Sequence, residues 1–238
     1  MSGRTIVVGD VHGCLRELEA LLEEVRPVPG DALWFTGDLV NRGPESAGVV
    51  RLVRSLGAHT VQGNHDEAHV RLRRHLASGS TEPLHGDLAH VSPMFRTVHE
   101  SLSDDDVAWL AASPTLARLG GDWILVHAGL RPGRPLESPD RPRTLRWLHR
   151  DDGRMLTMEE RDADPEAAVH WSERWEGPWT VLYGHHAQPA VVARPRSLGI
   201  DTGCVYGGRL TAACFEPLGP GAGPRIVQVP ALRKYWPP

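Results

Sequence analysis

The sequence predicts an α/β fold, and three observations carry this prediction. Short runs rich in valine, isoleucine and leucine recur, each ending in glycine or a polar residue; they read TIVVGD, ALWFTGD, HTVQGNHD, WILVHAG and WTVLYGHH. Segments with helical periodicity separate the early runs. The chain has 238 residues, 40% of them hydrophobic, which suits a single domain spanning residues 1–238.

The elements follow in order along the chain. The apolar runs are predicted to be strands buried on both faces. After the first run, CLRELEALLEEV carries one apolar stripe at helical spacing, formed by Leu15, Leu18, Leu21, Leu22 and Val25. ESAGVVRLVRSLG is similar and ends at a glycine, and SDDDVAWLAASP begins at the N-cap residue Ser103 and ends at a proline.

The last part of the chain has a different pattern. LGIDTGC, RLTAACFEP and RIVQVPA are closely spaced and strand-like, which predicts hairpins or a second, mostly antiparallel sheet. Residues 131–179 contain nine arginines and four tryptophans with only fragmentary periodicity. We expect this segment to be an irregular insertion on the substrate side of the domain, because long irregular segments in compact domains are often functional.

Composition argues against several functions. The net charge is only −4 and acids and bases are intermixed, so we expect no broad nucleic-acid-binding surface. No apolar run reaches the length of a membrane span, and the first predicted strand leaves no room for a signal peptide. Three scattered cysteines suit neither a disulfide framework nor a zinc site. These features predict a cytoplasmic, monomeric protein.

Potential metal ligands follow the predicted strands, at the edge where open α/β sheets bind ligands. The candidates are Asp10, His12, Asp38, Asn64, His65, His127 and His185. Singly, each could be an ordinary turn residue, and Asn64 could be a helix cap. Together they match a mixed nitrogen and oxygen site for two divalent metal ions, with Asp38 able to bridge them. We expect Mn²⁺, with Fe, Zn, Co or Mg as alternatives.

The motifs GDVHG, GDLVNRG, GNHD, HAG and GH occur in this order between Ile6 and Gly208. They resemble those of the calcineurin-type metallophosphoesterases, specifically the phosphoprotein-phosphatase branch. The resemblance implies a four-layer α/β/β/α sandwich. It also implies the ligands of each metal: Asp10, His12 and Asp38 for one, and Asp38, Asn64, His127 and His185 for the other. Other branches have a further histidine where this chain has Ala187, and His186 stays unassigned.

The resemblance also implies catalytic roles. A hydroxide bridging the two metals would attack phosphorus in line with the leaving group. His65 would be the general acid that protonates the leaving oxygen, and Arg42 would clamp the phosphate with its forked donors. A second phosphate-binding arginine of the family comes from the insertion. Arg146 is the first candidate for it, with Arg143 and Arg150 as alternatives.

Two positions favour phosphoanhydride substrates. Members that act on phosphoproteins usually have an aspartate in place of Asn41 and a glutamate in place of Asp66. That aspartate favours the charged form of the catalytic histidine, whereas Asn41 is expected to accept a hydrogen bond from His65 without supplying charge. A phosphate leaving group, whose second pKa is about 6, needs less protonation than a serine alkoxide.

Both departures, and the stretch GIDTGCVYGGRLT at 199–211, resemble the bacterial symmetrical bis(5′-nucleosyl)-tetraphosphatases. The resemblance implies hydrolysis of diadenosine tetraphosphate and related dinucleoside polyphosphates to two ADP, with Arg42, Asn41 and Arg146 binding the substrate. The alternatives are a serine/threonine or tyrosine phosphoprotein phosphatase, an endopolyphosphatase, and a catalytically inactive binding domain.

Five further side chains have two interpretations each. Arg73 and Arg74 could contact a polyphosphate, and Trp147, Trp171 or Trp175 could stack on adenine. The alternative, which we favour, is a solvated helix surface for the arginines and packing for the tryptophans, with Trp171 and Trp175 on one helical face.

Overall fold

The computed structural model describes residues 3–80, 91–136, 143–216 and 223–237. Its strands are β1 (Thr5–Val8), β2 (Ala32–Phe35), β3 (His59–Thr60), β4 (Leu116–Gly120), β5 (Trp123–Val126), β6 (Trp147–His149), β7 (Met155–Leu156), β8 (Ala168–His170), β9 (Thr180–Tyr183), β10 (Val192–Arg194), β11 (Ser197–Gly199), β12 (Arg209–Phe215) and β13 (Arg225–Pro230). Its α-helices are α1 (Leu15–Val25), α2 (Ser46–Ser55), α3 (Asn64–Ala77), α4 (Pro93–Ser101), α5 (Asp104–Ala112) and α6 (Met158–Ala163). Short 3₁₀ helices span Trp171–Glu173 and Cys204–Tyr206.

The first sheet contains β13, β12, β1, β2 and β3 in that spatial order. Strands β1, β2 and β3 are parallel, and β12 pairs antiparallel with both β1 and β13. Alternate side chains point to opposite faces of a strand. Ile6 and Phe35 therefore join the core shared with α1, α2 and α5, whereas Val7 joins a second core between the sheets.

The second sheet contains β10, β11, β9, β5 and β4 in that order, with β5, β9 and β11 parallel. Leu125 and Leu182 pack against Val7 of the first sheet. Ile124 and Val181 point to the other face and pack against residues 145–175. Both faces of each sheet are thus buried, as the continuous apolar runs predicted.

The insertion is more regular than its sequence predicted. In its described part, β6 pairs antiparallel with β7 and β8 to form a third, three-stranded sheet. Thr157 and Glu160 form a capping box at the start of α6. The prediction of an irregular segment is wrong here, because strands of two or three residues are too short to produce a periodic signal.

The C-terminal strands are distributed over two sheets. The hairpin prediction is confirmed, since β12 and β13 pair antiparallel. The prediction of a separate antiparallel sheet is wrong, because β12 extends the first sheet beside β1 and β11 pairs parallel with β9 in the second.

The α/β class is confirmed by the two central sheets and the helices α1 to α5. In the described residues, the layer outside the second sheet consists of the three-stranded sheet and α6 rather than of long helices. None of the helices in the described ranges combines the length and apolar character that a membrane span requires.

Candidate active site

The candidate ligands converge because the parallel strands of both sheets end at the same place. Asp38 follows β2 and His127 follows β5, and Oδ2 of Asp38 lies 3.4 Å from Nε2 of His127. His185 follows β9, and its backbone N–H donates to Asp10, beyond β1, over 2.9 Å. Residues far apart in sequence thus share one centre, as predicted from the strand ends.

Asp38 lies between two groups of potential ligand atoms. Its Oδ2 is 3.6 Å from His12 Nε2 and 3.4 Å from His127 Nε2. Its Oδ1 accepts a 2.9 Å hydrogen bond from the backbone N–H of His65. One group joins Asp38 with His12 and His65, and the other joins it with His127 and His185; within each, the ligand atoms lie within 4.8 Å of one another. Asp38 is thus the member that the two groups share.

His127 faces further potential ligands. Its Nε2 lies 3.0 Å from Asn64 Oδ1 and 3.1 Å from His185 Nδ1. Burial lowers the pKa of His127, but Asp38 and Asp10 outweigh this effect and raise the pKa to about 9. The two carboxylates thus favour positive charge at this position, which a bound cation would also supply.

Backbone carbonyls orient the two histidines nearest Asp38. Nδ1 of His12 donates to the carbonyl of Val40 over 2.9 Å, and Nδ1 of His127 donates to the carbonyl of Thr36 over 2.8 Å. Donation from Nδ1 directs Nε2 of each ring toward the centre, which is the usual outer-shell support of a metal-binding histidine. Burial lowers the pKa of His12 to about 3, so this ring is neutral.

Asp10 is tied to the ends of two other strands. Its Oδ1 accepts from the hydroxyl of Thr36 over 2.6 Å, and its Oδ2 accepts the His185 bond described above. A Cβ at position 184 would collide with Asp10, which explains Gly184. Burial and the neighbouring Asp201 raise the pKa of Asp10 well above its ordinary value. A buried carboxylate of this kind is stabilised by a nearby cation.

Left-handed backbone conformations concentrate at this centre. The described non-glycine residues with positive φ are His12, Arg26, Asp38, Asn41, Arg42 and His185. Arg26 is the C-cap of α1, and the other five surround the candidate site. Such conformations are unfavourable for residues with a Cβ, and they persist where the surrounding structure enforces them, often at functional sites.

The residues present fit a pair of divalent cations. Imidazole nitrogens, carboxylates and one amide oxygen converge, which is the donor set of a mixed nitrogen and oxygen site. Nε2 of His185 is buried without a hydrogen-bond partner among the described residues. Gly63 is also required by the cluster, because a Cβ there would collide with Asp38.

Two guanidinium groups lie beside the cluster. Nη1 of Arg42 donates to His12 Nε2 over 2.7 Å, and the guanidinium carbon is 5.4 Å from the ring centre of Tyr206. Nη2 of Arg146 donates to the His185 carbonyl over 3.1 Å. Burial, followed by the positive charge of Arg42, lowers the pKa of Arg146. Two partly buried cations that repel each other favour binding of an anion between them.

A family model described as calcineurin-like phosphoesterase matches residues 3–219. The chain is a calcineurin-like phosphoesterase. It is therefore a hydrolase, and its family implies divalent metal ions.

Relatives resemble this phosphoesterase over most of their length. A symmetrical bis(5′-nucleosyl)-tetraphosphatase of Methylococcus capsulatus is 32% identical, with 86% of this chain and 89% of that protein covered. An asymmetrical bis(5′-nucleosyl)-tetraphosphatase of Geobacillus thermodenitrificans is 31% identical, with 89% and 90% covered. A crystal structure described as a presumed diadenosine tetraphosphatase is 35% identical with a TM-score of 0.78, with 97% and 95% covered.

The hydrogen bond between Asn41 and His65 runs opposite to the sequence-based expectation. Nδ2 of Asn41 lies 3.1 Å from Nδ1 of His65 and donates to it. The amide oxygen of Asn41 instead accepts from Nε2 of His69 over 2.8 Å. Sequence alone does not indicate this, because His69 is one of many histidines and its position depends on the helix that follows the GNHD motif of the phosphoesterase.

Other candidate residues of the phosphoesterase are engaged elsewhere. Arg150 donates to the carbonyls of Glu166 and Ala168 in the insertion. Arg73 donates to His99 and pairs with Asp104, which disfavours a phosphate-binding role. Arg74 is exposed, and Arg143 lines a small cavity beside His127.

The tryptophans of the phosphoesterase divide between packing and the neighbourhood of the site. Trp171 and Trp175 are buried in the core beneath the insertion, which confirms the packing interpretation, although Trp171 begins a 3₁₀ helix and not an α-helical face. Trp147 is half-buried, with its ring centre 5.3 Å from that of His186. His186 lines a cavity together with Arg146.

Sequence reasoning missed residues that position the ligands of the phosphoesterase. Thr36 holds both Asp10 and His127 through its hydroxyl and carbonyl. The carboxylate of Asp66 accepts from the backbone N–H groups of Asp38, Leu39 and Gly63. The available signal for Asp66 was its place at the third position of the helix that follows Gly63, where an acid can accept from the N–H of the N-cap residue.

Proposed function

We propose that this phosphoesterase hydrolyses dinucleoside polyphosphates and cleaves diadenosine tetraphosphate symmetrically to two ADP. The observation that supports phosphoester chemistry is the carboxylate of Asp38, shared between two ligand groups beside Arg42 and Arg146. The substrate is supported by the names of the relatives, which match most of the chain.

The proposed ligands of one cation are Asp10, His12 and Asp38, and those of the other are Asp38, Asn64, His127 and His185. When bound, two such cations lower the pKa of a water molecule and neutralise charge on the phosphoryl oxygens. We propose Mn²⁺ as the working metal, with Fe, Zn, Co and Mg as alternatives, because nitrogen and oxygen ligands admit all of them.

The side chains of this chain supply binding and orientation. Arg42 and Arg146 hold the phosphoryl oxygens, since paired guanidinium groups bind phosphate through several charge-assisted hydrogen bonds. His65 donates from Nε2 to the oxygen of the departing phosphate, while Asn41 holds its Nδ1.

A cavity of about 490 Å³ extends from the cluster and can receive a nucleoside. It is lined by Arg146, His185, His186, Gln188, Thr202 and Tyr206, among others. This volume lies within the range of small-molecule sites, about 300–1,000 Å³. We propose that Tyr206 offers its ring to one end of the substrate and that Arg146 binds the adjoining phosphate.

The test is an assay of the purified protein with Mn²⁺ against diadenosine tetraphosphate, a phosphopeptide and polyphosphate, with nucleotide products separated by chromatography. We expect turnover of the dinucleotide to ADP alone. Equal amounts of AMP and ATP would mean asymmetrical cleavage, the activity named for one relative. Faster turnover of the phosphopeptide or of polyphosphate would refute the proposed substrate.

We further propose that the protein acts in the cytoplasm as a monomer. This is supported by the intermixed surface charge and the small number of cysteines in the sequence. Light scattering coupled to size-exclusion chromatography tests the oligomeric state, and a mass of twice 26.1 kDa would contradict it.

A further inference from the structure

A chain of hydrogen bonds leads from Arg73, near the protein surface, to His65. Nε of Arg73 donates to Nε2 of His99 over 3.2 Å, and Nδ1 of His99 lies 3.2 Å from Nδ1 of His69. Nε2 of His69 lies 2.8 Å from Oδ1 of Asn41, whose Nδ2 lies 3.1 Å from Nδ1 of His65. None of the three intermediate residues is a proposed metal ligand.

The direction of every bond in this chain follows from its first member. A guanidinium can only donate, so Nε2 of His99 accepts and its proton lies on Nδ1. His99 therefore donates to Nδ1 of His69, which leaves the proton of His69 on Nε2. His69 then donates to the amide oxygen of Asn41, and the amide N–H₂ must donate to His65.

The chain is held rigidly inside the protein. His69 is fully buried, His99 is nearly so, and Phe95 stacks on His69 with ring centres 4.0 Å apart and planes 6° apart. Arg73 is fixed by Asp104 and by the carbonyls of His99 and Leu102. Burial lowers the pKa of His69 to about 3, in keeping with the neutral ring that the bond directions require.

We propose that Arg73, His99 and His69 are positioning residues that act through Asn41 and fix the proton of His65 on Nε2, the ring nitrogen that Asn41 does not occupy. His65 then meets the leaving-group oxygen as a neutral hydrogen-bond donor. An oxygen of a departing phosphate requires only such a donor, whereas an alkoxide must receive a proton. This chain of hydrogen bonds therefore makes phosphoanhydrides the preferred class of substrate. This consequence rests on the function proposed above.

The bond directions are tested directly by two-bond ¹⁵N–¹H NMR of the uniformly labelled protein, which distinguishes histidine tautomers. We expect His99 protonated on Nδ1 and His69 protonated on Nε2, each assigned by its loss in a His99→Gln or His69→Gln variant. The opposite tautomer of either ring in the folded wild type would overturn the proposal, whatever the substrate.

Arg73→Met tests whether the guanidinium at the start of the hydrogen-bond chain controls the amide of Asn41 at its end. Without it, the amide of Asn41 can take both orientations, and we expect kcat on diadenosine tetraphosphate to fall about 2- to 10-fold, the value of one hydrogen bond, at unchanged KM. The His69 tautomer should become mixed. The control is Arg96→Met, which removes an exposed arginine from α4, the helix that carries His99. Equal kcat values and equal His69 tautomers in Arg73→Met and Arg96→Met would refute the proposed action of this hydrogen-bond chain, which we call the relay.

Asn41→Asp reverses the last bond, because a carboxylate has no donor for Nδ1 of His65. We expect the ratio of alkyl phosphate to dinucleotide turnover to rise about tenfold, below the full contribution of a general acid. The ratio is unaffected by any loss of folded protein, since both substrates are measured on one sample. An unchanged ratio with wild-type tautomers at His69 and His99 would show that the chain does not select the leaving group.

The outcomes separate this inference from the proposed function. Wild-type protein that hydrolyses neither substrate would refute the proposed function, yet the NMR result would still decide the bond directions. Active wild-type protein with the opposite tautomers would refute the relay and leave the proposed function standing.

Discussion

The loops that follow the strands and the insertion at 131–179, of which 131–136 and 143–179 are described, serve one site, yet they are built differently. In the loops, backbone groups orient the side chains: Asp38 is held by the N–H of His65, and His12 by the carbonyl of Val40. In the insertion, apolar packing around the buried Trp171 supports a segment that supplies Arg146 to the site. The candidate metal ligands thus depend on short loops, whereas Arg146, the proposed second phosphate-binding group, depends on distant packing.

This difference predicts separate consequences of substitution. A change in the strand-end loops should alter activity more than stability, because their strained conformations and buried charges favour the ligand over the fold. A change in the core of the insertion should alter stability first. The following substitutions test this separation, from the largest expected effect to the smallest.

Asp38→Asn should cause the largest loss. It removes the shared negative charge without changing size, and the loss of several kcal/mol of charge stabilisation corresponds to about a thousandfold in kcat/KM. Bound metal, measured by inductively coupled plasma mass spectrometry, should fall below one ion per chain. The matched control is Asp122→Asn on an exposed turn. Full metal content with activity within tenfold of wild type would show that Asp38 is not the bridging ligand.

Trp171→Ala should cause a loss of stability in the other region. Truncation of a buried tryptophan costs about 3–5 kcal/mol, which lowers the melting temperature by roughly 6–20 °C for a chain of this size. Metal content per folded molecule should stay unchanged. Met158→Ala, an exposed apolar residue of the same insertion, is the control. If the melting temperature were equal in both variants, the insertion would not be held by this core.

Arg146→Gln tests a side chain that lies in the insertion and also reaches the candidate site. Loss of charged hydrogen bonds to phosphate, about 1.5–3 kcal/mol, lowers kcat/KM roughly 10- to 100-fold. The urea midpoint should not fall, because the substitution relieves the repulsion between Arg146 and Arg42. Arg150→Gln, whose guanidinium binds carbonyls of the insertion, is the control. A fall in stability at unchanged kcat/KM would assign Arg146 to the structure alone.

The comparison also explains what the sequence revealed. The strand-end motifs were readable because a buried strand, a tight turn and a polar ligand are adjacent in sequence, so Asp38 and Asn64 could be placed from a few residues each. From these strand ends, the meeting of the side chains at one centre could also be predicted. The left-handed backbone conformations of His12 and His185 could not, because residue type does not indicate them.

A physical reason explains why neither the strands of the insertion nor the bond directions of the relay could be predicted from the sequence. Strands β6 to β8 are stabilised by packing on the second sheet, and their length hides any periodicity. The direction of the bond between Asn41 and His65 depends on His69 and His99, on two helices whose relative placement is tertiary. Local sequence thus predicts which side chains meet at the strand ends, whereas the direction of a hydrogen bond depends on tertiary packing.

Tyr206 lies in the 3₁₀ helix after β11, outside the loops that carry the candidate metal ligands, so its substitution measures how far the comparison extends. Its ring lies 5.4 Å from the guanidinium carbon of Arg42 and lines the cavity proposed to receive the nucleoside. Tyr206→Leu keeps apolar bulk but removes the ring face, and loss of a cation–π contact of about 0.5–1 kcal/mol should raise KM for diadenosine tetraphosphate roughly 2- to 5-fold. Tyr206→Phe keeps the ring and should behave as wild type.

Comparison of KM for two substrates decides what Tyr206 does. A contact that only orders Arg42 should act on every phosphate substrate, so KM for a simple aryl phosphate should rise equally in Tyr206→Leu. A contact with the nucleoside should raise KM for the dinucleotide alone, because an aryl phosphate has no group to place in that cavity. Equal KM values in Tyr206→Leu and wild type for both substrates would exclude the ring from the site and leave recognition to the loops and the insertion.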